Sequence, residues 1–313
     1  MLTTPLMDVS NTASIEKAFR TSLPLPGSLN PAFEEALRHV LDHPGSLVRP
    51  RLIQQMATAY GVPETAARDL GIAVEYFHTA SLVFDDLPCM DDATERRGVP
   101  CVHFAFGEAG AILTALALIN RAYALIWSAV SACPQALQLA ALAYVEQCLG
   151  VNGLLNGQSL DLHYGTLPHN RETTERIARG KTVSLIRLTL VLPAMLGGAS
   201  RRETQLLERI ALYWGLSYQM VDDLKDVLQT ESQAGKTVAR DAQLNRPNAA
   251  SVLGVAGTVV RLTRLIRVGD RMLGSLLRLR PELKFLGSLR SDLEDELQRV
   301  TQDAVENNVG DPA

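Results

Sequence analysis

The sequence predicts an all-α protein, and three observations carry that expectation. Hydrophobic residues make up 47% of the 313 positions and aromatics only 5%, a balance led by alanine and leucine that suits packed helices better than a β sandwich. Nearly every patterned stretch repeats its apolar residues at steps of three and four, and none alternates convincingly with period two. The breaks between these stretches are short, which predicts antiparallel neighbours in a bundle. No low-complexity linker divides the chain, so residues 1–313 are expected to form a single domain, with 1–20 as a flexible arm and 308–313 as a flexible tail.

The elements follow in order. A helix is expected at about 30–42, ending at the His-Pro-Gly break of residues 43–45. The next starts at Pro63 and Glu64, a helix-opening signal, and carries Leu70, Ala73, Val74, Phe77, Ser81 and Phe84 on one apolar face. It runs straight into the segment DDLPCMDDATERRG, residues 85–98. Helices are then expected at 108–132 and 134–156, parted by Cys-Pro-Gln, and at 171–196 after GTLPHN. The last three fall at 203–228 after LGGAS, at 249–276 after NRPN, and at 287–307.

Several function classes are disfavoured at once. A formal net charge of -4 gives no electrostatic footprint for nucleic acid. The amino terminus lacks a basic stretch followed by an apolar run, so a cytoplasmic location is expected. The runs AILTALALINRAYALIWSAV and VSLIRLTLVLPAML are long enough to test as membrane spans, but Asn120, Arg121 and Arg187 interrupt them. Both are read as buried helices of a soluble fold with no integral membrane segment. Cys89, Cys101, Cys133 and Cys148 show no ligand spacing and are read as buried thiols. Neither a P-loop nor a GxGxxG occurs, so nucleotide binding has no local support.

Chemistry is expected at two acidic clusters. Pro88 cannot continue the helix that precedes it, so the helix should end or kink there. Asp85 and Asp86 then sit in its last turn, where the macrodipole makes a carboxylate unfavourable by about 0.3 to 1 kcal/mol. A continuing helix would hold Asp85 and Asp91 about 120° apart, and the break lets them converge. The second cluster, in YQMVDDLKDVL, places Asp222, Asp223 and Asp226 at helical spacing, where like charges repel by a few tenths of a kcal/mol, roughly, per pair. Either cluster alone could be a solvated acidic surface. Two of them on apolar helices point to a hard cation such as Mg²⁺, shared between carboxylates and substrate phosphates. Arg96, Arg97, Lys181, Lys236 and Arg246 supply the positive side of a polyphosphate site.

With these residues in view, the chain resembles the trans-isoprenyl diphosphate synthases, the polyprenyl synthetase family, from about Pro44 to about Gly254. DDLPCMDDATERRG is similar to the family's first aspartate-rich motif and DDLKD to its second, with GQSLDL, GKT and GLSYQMVDDLKD in the family's order. The resemblance implies a helical bundle of isoprenoid-synthase type around a deep central cavity, a homodimer, and three Mg²⁺ ions. It implies a prenyltransferase that condenses an allylic diphosphate with isopentenyl diphosphate by ionisation, condensation and proton elimination. Asp85, Asp91, Asp222 and Asp226 would hold the metal; Asp86 and Asp223 match further catalytic motif positions. Arg96, Lys181, Thr182, Lys236 and Arg246 would bind the allylic diphosphate, and Arg49, His78 and Arg97 that of isopentenyl diphosphate. Gln219 matches the glutamine before the second motif.

The chain also departs from the family. GGKxxRP appears as PGSLVRP, with Ser46 for the lysine and Arg51 the next cation along; Ala115 and Leu116 stand where glycine and aspartate are usual. A lost charge-assisted hydrogen bond would weaken isopentenyl diphosphate binding by about ten- to a hundredfold. Two alternatives therefore stand beside the synthase: a cyclase-like enzyme that ionises an allylic diphosphate alone, and a non-catalytic subunit of a heteromeric synthase. Ala80, five residues before Asp85, is small, and Phe77 lies one turn deeper as a floor for the growing chain, which predicts a product of geranylgeranyl length.

Overall fold

The structure, a computed structural model, describes residues 9–228, 244 and 246–309. In chain order the helices are α1 (Val9–Thr21), α2 (Pro31–Asp42), α3 (Val48–Ala59), α4 (Glu64–Asp85), α5 (Val102–Ser131), α6 (Gln135–Leu149) and α7 (Leu154–Leu162). They continue as α8 (Arg171–Ala178), a π-helical turn (Arg179–Val183), α9 (Ser184–Leu196), α10 (Arg201–Leu228), α11 (Ala249–Leu277) and α12 (Leu286–Val309). A small antiparallel ribbon pairs β1 (Glu95–Arg96) with β2 (Val99–Pro100). The all-α expectation therefore holds among the described residues.

The chain forms two compact units. The amino-terminal one takes the described residues up to Ala143 together with Leu192–Ala199. Its centre is α4, packed on α3 and α5, with Leu70, Ile72, Tyr76 and Ala80 among its fully buried residues. Gly71 admits α3, because a Cβ there would lie 3.1 Å from Pro50 Cα. Helix α1 was expected within a flexible arm, yet Ile15 and Phe19 are buried and Tyr76 Oη donates to the Phe19 carbonyl at 2.6 Å. Helix α3, which the periodicity did not signal, starts with Leu47 in the left-handed region (φ 52°) and holds Pro50 in its first turn, where no amide hydrogen is needed. The ribbon turns through Arg97 and Gly98, both at positive φ (56° and 80°).

Helix α5 corrects the reading of its sequence as a buried helix. Ala111, Ala115, Leu118 and Ala122 are buried, but Leu113, Leu116, Tyr123 and Trp127 on the other side are at least half exposed. Adjacent residues on a helix point about 100° apart, so Ala115 faces inward while Leu116 belongs to the outer apolar face. By length and composition α5 and α11 could each cross a membrane; the α9 stretch, in contrast, is buried at Leu188, Leu190, Val191 and Leu192.

The carboxyl-terminal unit takes Tyr144–Val191 and the described residues from Ser200. A reciprocal capping box opens α10: Ser200 N–H donates to Glu203 Oε2 at 2.9 Å, and Glu203 N–H to Ser200 Oγ at 3.3 Å. The Asn248 side chain caps α11 by accepting from the amides of Ala250 and Ser251. Helix α7 crosses the π-helical turn at a glycine contact, where a Cβ on Gly157 would sit 2.2 Å from the Lys181 amide nitrogen and 2.5 Å from the Gly180 carbonyl carbon. Backbone cannot yield as a side-chain tip can. Gly157→Ala is therefore expected to cost about 3 kcal/mol, the upper end for overpacking. Urea unfolding at neutral pH checks this, with Gly274→Ala, which has open space around its Cβ position, as the tolerated control.

Candidate active site

In the amino-terminal unit the acidic loop closes as Pro88 requires. Helix α4 ends at Asp85, and the Asp91 amide then donates to the Asp85 carbonyl at 2.9 Å. The amides of Met90 and Asp92 both donate to the Leu87 carbonyl, and Asp92 takes a positive φ of 49°. One hydrogen bond thus sets Asp85 and Asp91 backbone to backbone, and both stay half-buried. Asp86 has a different fate. It is 3% exposed and accepts from Arg96, with Nε at 3.0 Å from each carboxylate oxygen and Nη2 at 2.6 Å from Oδ1. Arg96, expected to bind diphosphate, spends its fork on Asp86 and ties the ribbon to the end of α4. The buried Cys101 thiol beside Asp86 is pushed up to about 12 by desolvation and that negative charge; Cys133 and Cys148 are buried as expected, but Cys89, next to Pro88 in the loop, is exposed.

A basic cluster gathers Arg49 and Arg51 of α3 with Arg97 of the ribbon turn. Its unexpected centre is Glu75, 2% exposed. Burial raises the Glu75 carboxyl above the usual carboxylate range, while the charges of Arg49, Arg97 and Arg51 oppose that rise. His78, one turn along α4, is held well below its ordinary value first by desolvation and then by Arg49, Arg97 and Arg96. The imidazole is therefore neutral near pH 7 and can donate one N–H. On the same helix Ala80 is fully buried, and the Phe77 ring meets Tyr123 of α5 edge to face at 4.9 Å.

The carboxyl-terminal unit gathers the other expected residues. Lys181 and Thr182 project from the π-helical turn, an irregularity that re-aims side chains. Lys181 Nζ donates to Asp161 Oδ2 at 2.9 Å, and Arg246 Nε lies 3.9 Å from the same oxygen. Asp161, 6% exposed, is the partner of both cations that the sequence reading missed, although it lies in the matched GQSLDL stretch. Thr182 Oγ1 donates to Gln219 Oε1 at 2.5 Å, and Gln219 Nε2 to Asp223 Oδ1 at 2.9 Å. The other Asp223 oxygen accepts from the Ala249 amide at 2.7 Å, and Asn248 Nδ2 donates to the Asp223 carbonyl at 3.1 Å. Asp223 therefore anchors the start of α11. Asp222 stays half-buried and Asp226 is buried on the next turn of α10. Lys236 lies outside the described residues.

Among the described residues no three His, Cys, Asp or Glu side chains form a ready metal site. Paired carboxylates nevertheless fit Mg²⁺, which takes one or two of them and completes its shell with water and phosphate oxygens.

The fold is that of the isoprenoid synthases. A geranyltransferase from Helicobacter pylori, solved with magnesium and isoprenyl diphosphate, superposes with a TM-score of 0.79 at 25% identity, covering 95% of this chain and 99% of that one. The polyprenyl synthetase family model matches residues 30–266. A chloroplastic geranylgeranyl pyrophosphate synthase of Arabidopsis thaliana is 32% identical over 83% of this chain and 73% of its own length. A farnesyl diphosphate synthase of Bacillus subtilis is 31% identical over 88% of this chain and 92% of its own. The chain belongs to the polyprenyl synthetase family.

Two outcomes test the local electrostatics. Arg96→Ala strands a buried carboxylate and should cost about 3 to 5 kcal/mol. Asp86→Asn should cost less, since the Arg96 side chain is 35% exposed and rehydrates; urea unfolding of both variants ranks them. For His78 the folded state resists protonation that the unfolded chain accepts at about 6.5. Stability is thus lost as pH falls below 6.5, with a slope of up to about 1.4 kcal/mol per pH unit. The melting-temperature gap between the wild type and His78→Gln should narrow from pH 7.5 to 5.5.

Proposed function

We propose that the chain condenses an allylic diphosphate with isopentenyl diphosphate, giving a longer all-trans prenyl diphosphate of geranylgeranyl length. The observation that carries this reading is the closure of the acidic loop, which brings Asp85 and Asp91 together while Asp86 is committed to Arg96. Asp85 and Asp91, with Asp222 and Asp226, would hold Mg²⁺, with three ions expected. When bound, the metal supplies positive charge to the leaving diphosphate. Lys181 and Arg246 add fixed cations whose position Asp161 sets, and Lys236 is assigned to the same diphosphate by its place in the family pattern. Arg96 contributes its charge from the ribbon.

The second substrate is assigned to Arg49, Arg97 and the neutral His78. A buried carboxylate faced by three arginines leaves that region positive overall, which favours a diphosphate. The apolar wall around Phe77 and Ala80 excludes water from the carbocation that ionisation creates. The homoallyl double bond attacks that carbocation, and the released diphosphate takes the proton. Thr182, Gln219 and Asp223 act as positioning residues, a hydrogen-bonded chain running from the π-helical turn to the head of α11. The exposed apolar face of α5, with Leu113, Leu116, Tyr123 and Trp127, supports assembly as a homodimer, since an apolar face of this kind needs a cover.

Ser46 favours a second reading in which only the allylic substrate is ionised. Incubation of the purified chain with Mg²⁺ and farnesyl diphosphate, with and without isopentenyl diphosphate, separates the two. Longer diphosphates only with the second substrate support the synthase; hydrocarbons or alcohols without it support the cyclase, and no turnover supports the subunit. Asp85→Ala and Asp222→Ala should each lower kcat by at least about a hundredfold, the scale set by removing one charge-stabilising group. Ala80→Tyr should shorten the product toward farnesyl length, and an unchanged product would refute Phe77 as the floor.

A further inference from the structure

The loop that opens α3 is held between two guanidinium groups. Arg97 lies over Gly45, where a Cβ would come within 2.7 Å of Nη2 and 2.9 Å of Cζ. Arg51 reaches back from α3, donating from Nη2 to the Ser46 carbonyl at 2.5 Å and from Nε to the Leu47 carbonyl at 3.2 Å. Leu47 begins the helix in a left-handed conformation without a side-chain cap, and Arg51 ties the carbonyls on either side of that start to the helix. Ser46 itself is exposed and uncharged.

The charge balance shows what this arrangement lacks. Arg49, Arg51 and Arg97 all act on the single carboxylate of Glu75, whose Oε2 is buried and accepts no hydrogen bond. Neutral His78 adds nothing to either side. Among the described residues, three guanidinium groups act on one carboxylate, and partly desolvated cations gathered in this way favour an incoming anion. Desolvation holds Arg51 below its ordinary value, with Glu75 opposing. A diphosphate monoester, with several acceptor oxygens and two or three negative charges, matches both the gathered cations and the fork geometry of arginine.

We propose that Arg51 is a substrate-binding residue, its guanidinium supplying over the Ser46 carbonyl the third positive charge of the subsite for the diphosphate of isopentenyl diphosphate. This rests on the reading above that isopentenyl diphosphate is the co-substrate. The cation comes from one turn inside α3, and position 46 is left to provide only its carbonyl.

The test compares wild type, Arg51→Met, and Arg51→Met combined with Ser46→Lys. Arg51→Met should raise KM for isopentenyl diphosphate by about ten- to a hundredfold, the effect of one charge-assisted hydrogen bond, while KM for farnesyl diphosphate and kcat at saturation stay within about twofold. Ser46→Lys in the Arg51→Met background should recover most of that loss, which a purely structural role for Arg51 would not allow. Unchanged KM, equal loss for both substrates, or no recovery overturns the proposal. Calorimetric titration with isopentenyl diphosphate alone in EDTA keeps it separate from the reading of the reaction. A wild type that binds this ligand but does not elongate, with binding lost in Arg51→Met and regained with Ser46→Lys, sinks the synthase reading and upholds Arg51. A wild type that neither binds nor elongates overturns both.

Discussion

A carboxylate taken out of water must find a cation or a set of amide donors, and this constraint sorts the acids of both aspartate clusters. In the pairs Asp85–Asp86 and Asp222–Asp223 the second member is buried and committed: Asp86 to the Arg96 fork, Asp223 to Gln219 and the first amide of α11. The first members, Asp85 and Asp222, remain half-buried. An ion pair such as that of Asp86 contributes little net stability against an apolar pair of the same size. Its value is geometric, because it fixes the end of α4 and the ribbon relative to the loop that carries Asp91. Each of these two pairs thus joins one buried anchor to one half-buried neighbour, in two unrelated local contexts.

The same constraint read for cations explains the basic side. Lys181 and Arg246 converge on Asp161, so one carboxylate holds two cations in place and offsets one of the two charges. The cluster around Glu75 is different, because three arginines share one buried carboxylate whose own ionisation is disfavoured by burial. Positive charge is therefore concentrated near α3 and kept fixed near Lys181. His78 fits this division: three neighbouring guanidinium charges and desolvation keep it neutral, so it adds a hydrogen-bond donor without adding to the repulsion. The π-helical turn serves a related need. One extra residue in the helical path lets Lys181 and Thr182 point to different partners, Asp161 and Gln219, at the cost of a glycine-on-glycine crossing that no larger residue could fill.

Much of this was legible in the sequence, and the misses have identifiable physical causes. Helices α2, α4, α10 and α11 announce themselves by an apolar stripe together with a cap or break at their ends. The backbone approach of Asp91 to Asp85 is foreshadowed by Pro88, since proline cannot continue the helix, and the turn on the Leu87 carbonyl completes it. Helix α3 escaped because its starting residue is a leucine in the left-handed region rather than a capping side chain, and proline in its first turn reads as a break. The ribbon escaped because a pair of residues per strand is too short for any period to show. Asp161 and Glu75 escaped for a deeper reason. Neither belongs to a cluster along the chain, and their roles exist only once Lys181, Arg246 and the three arginines have been folded around them.

The substitutions at Ala115 and Leu116 show how the structure changes the meaning of a departure from pattern. Read in sequence they fall into one group with Ser46, because all three replace residues that the family usually keeps. On α5, however, Ala115 is buried and Leu116 is half exposed among Leu113, Tyr123 and Trp127, the helical twist sending the two side chains to different faces. Leucine in place of an aspartate there removes a charge from an outward apolar stripe and extends it. A carboxylate on that stripe would keep it hydrated; leucine makes it costlier to leave uncovered, by about 25 cal/mol for each Å² of apolar surface. The change at position 116 therefore alters an outward apolar face of α5, whereas Ser46 lies in the loop that Arg51 and Arg97 hold.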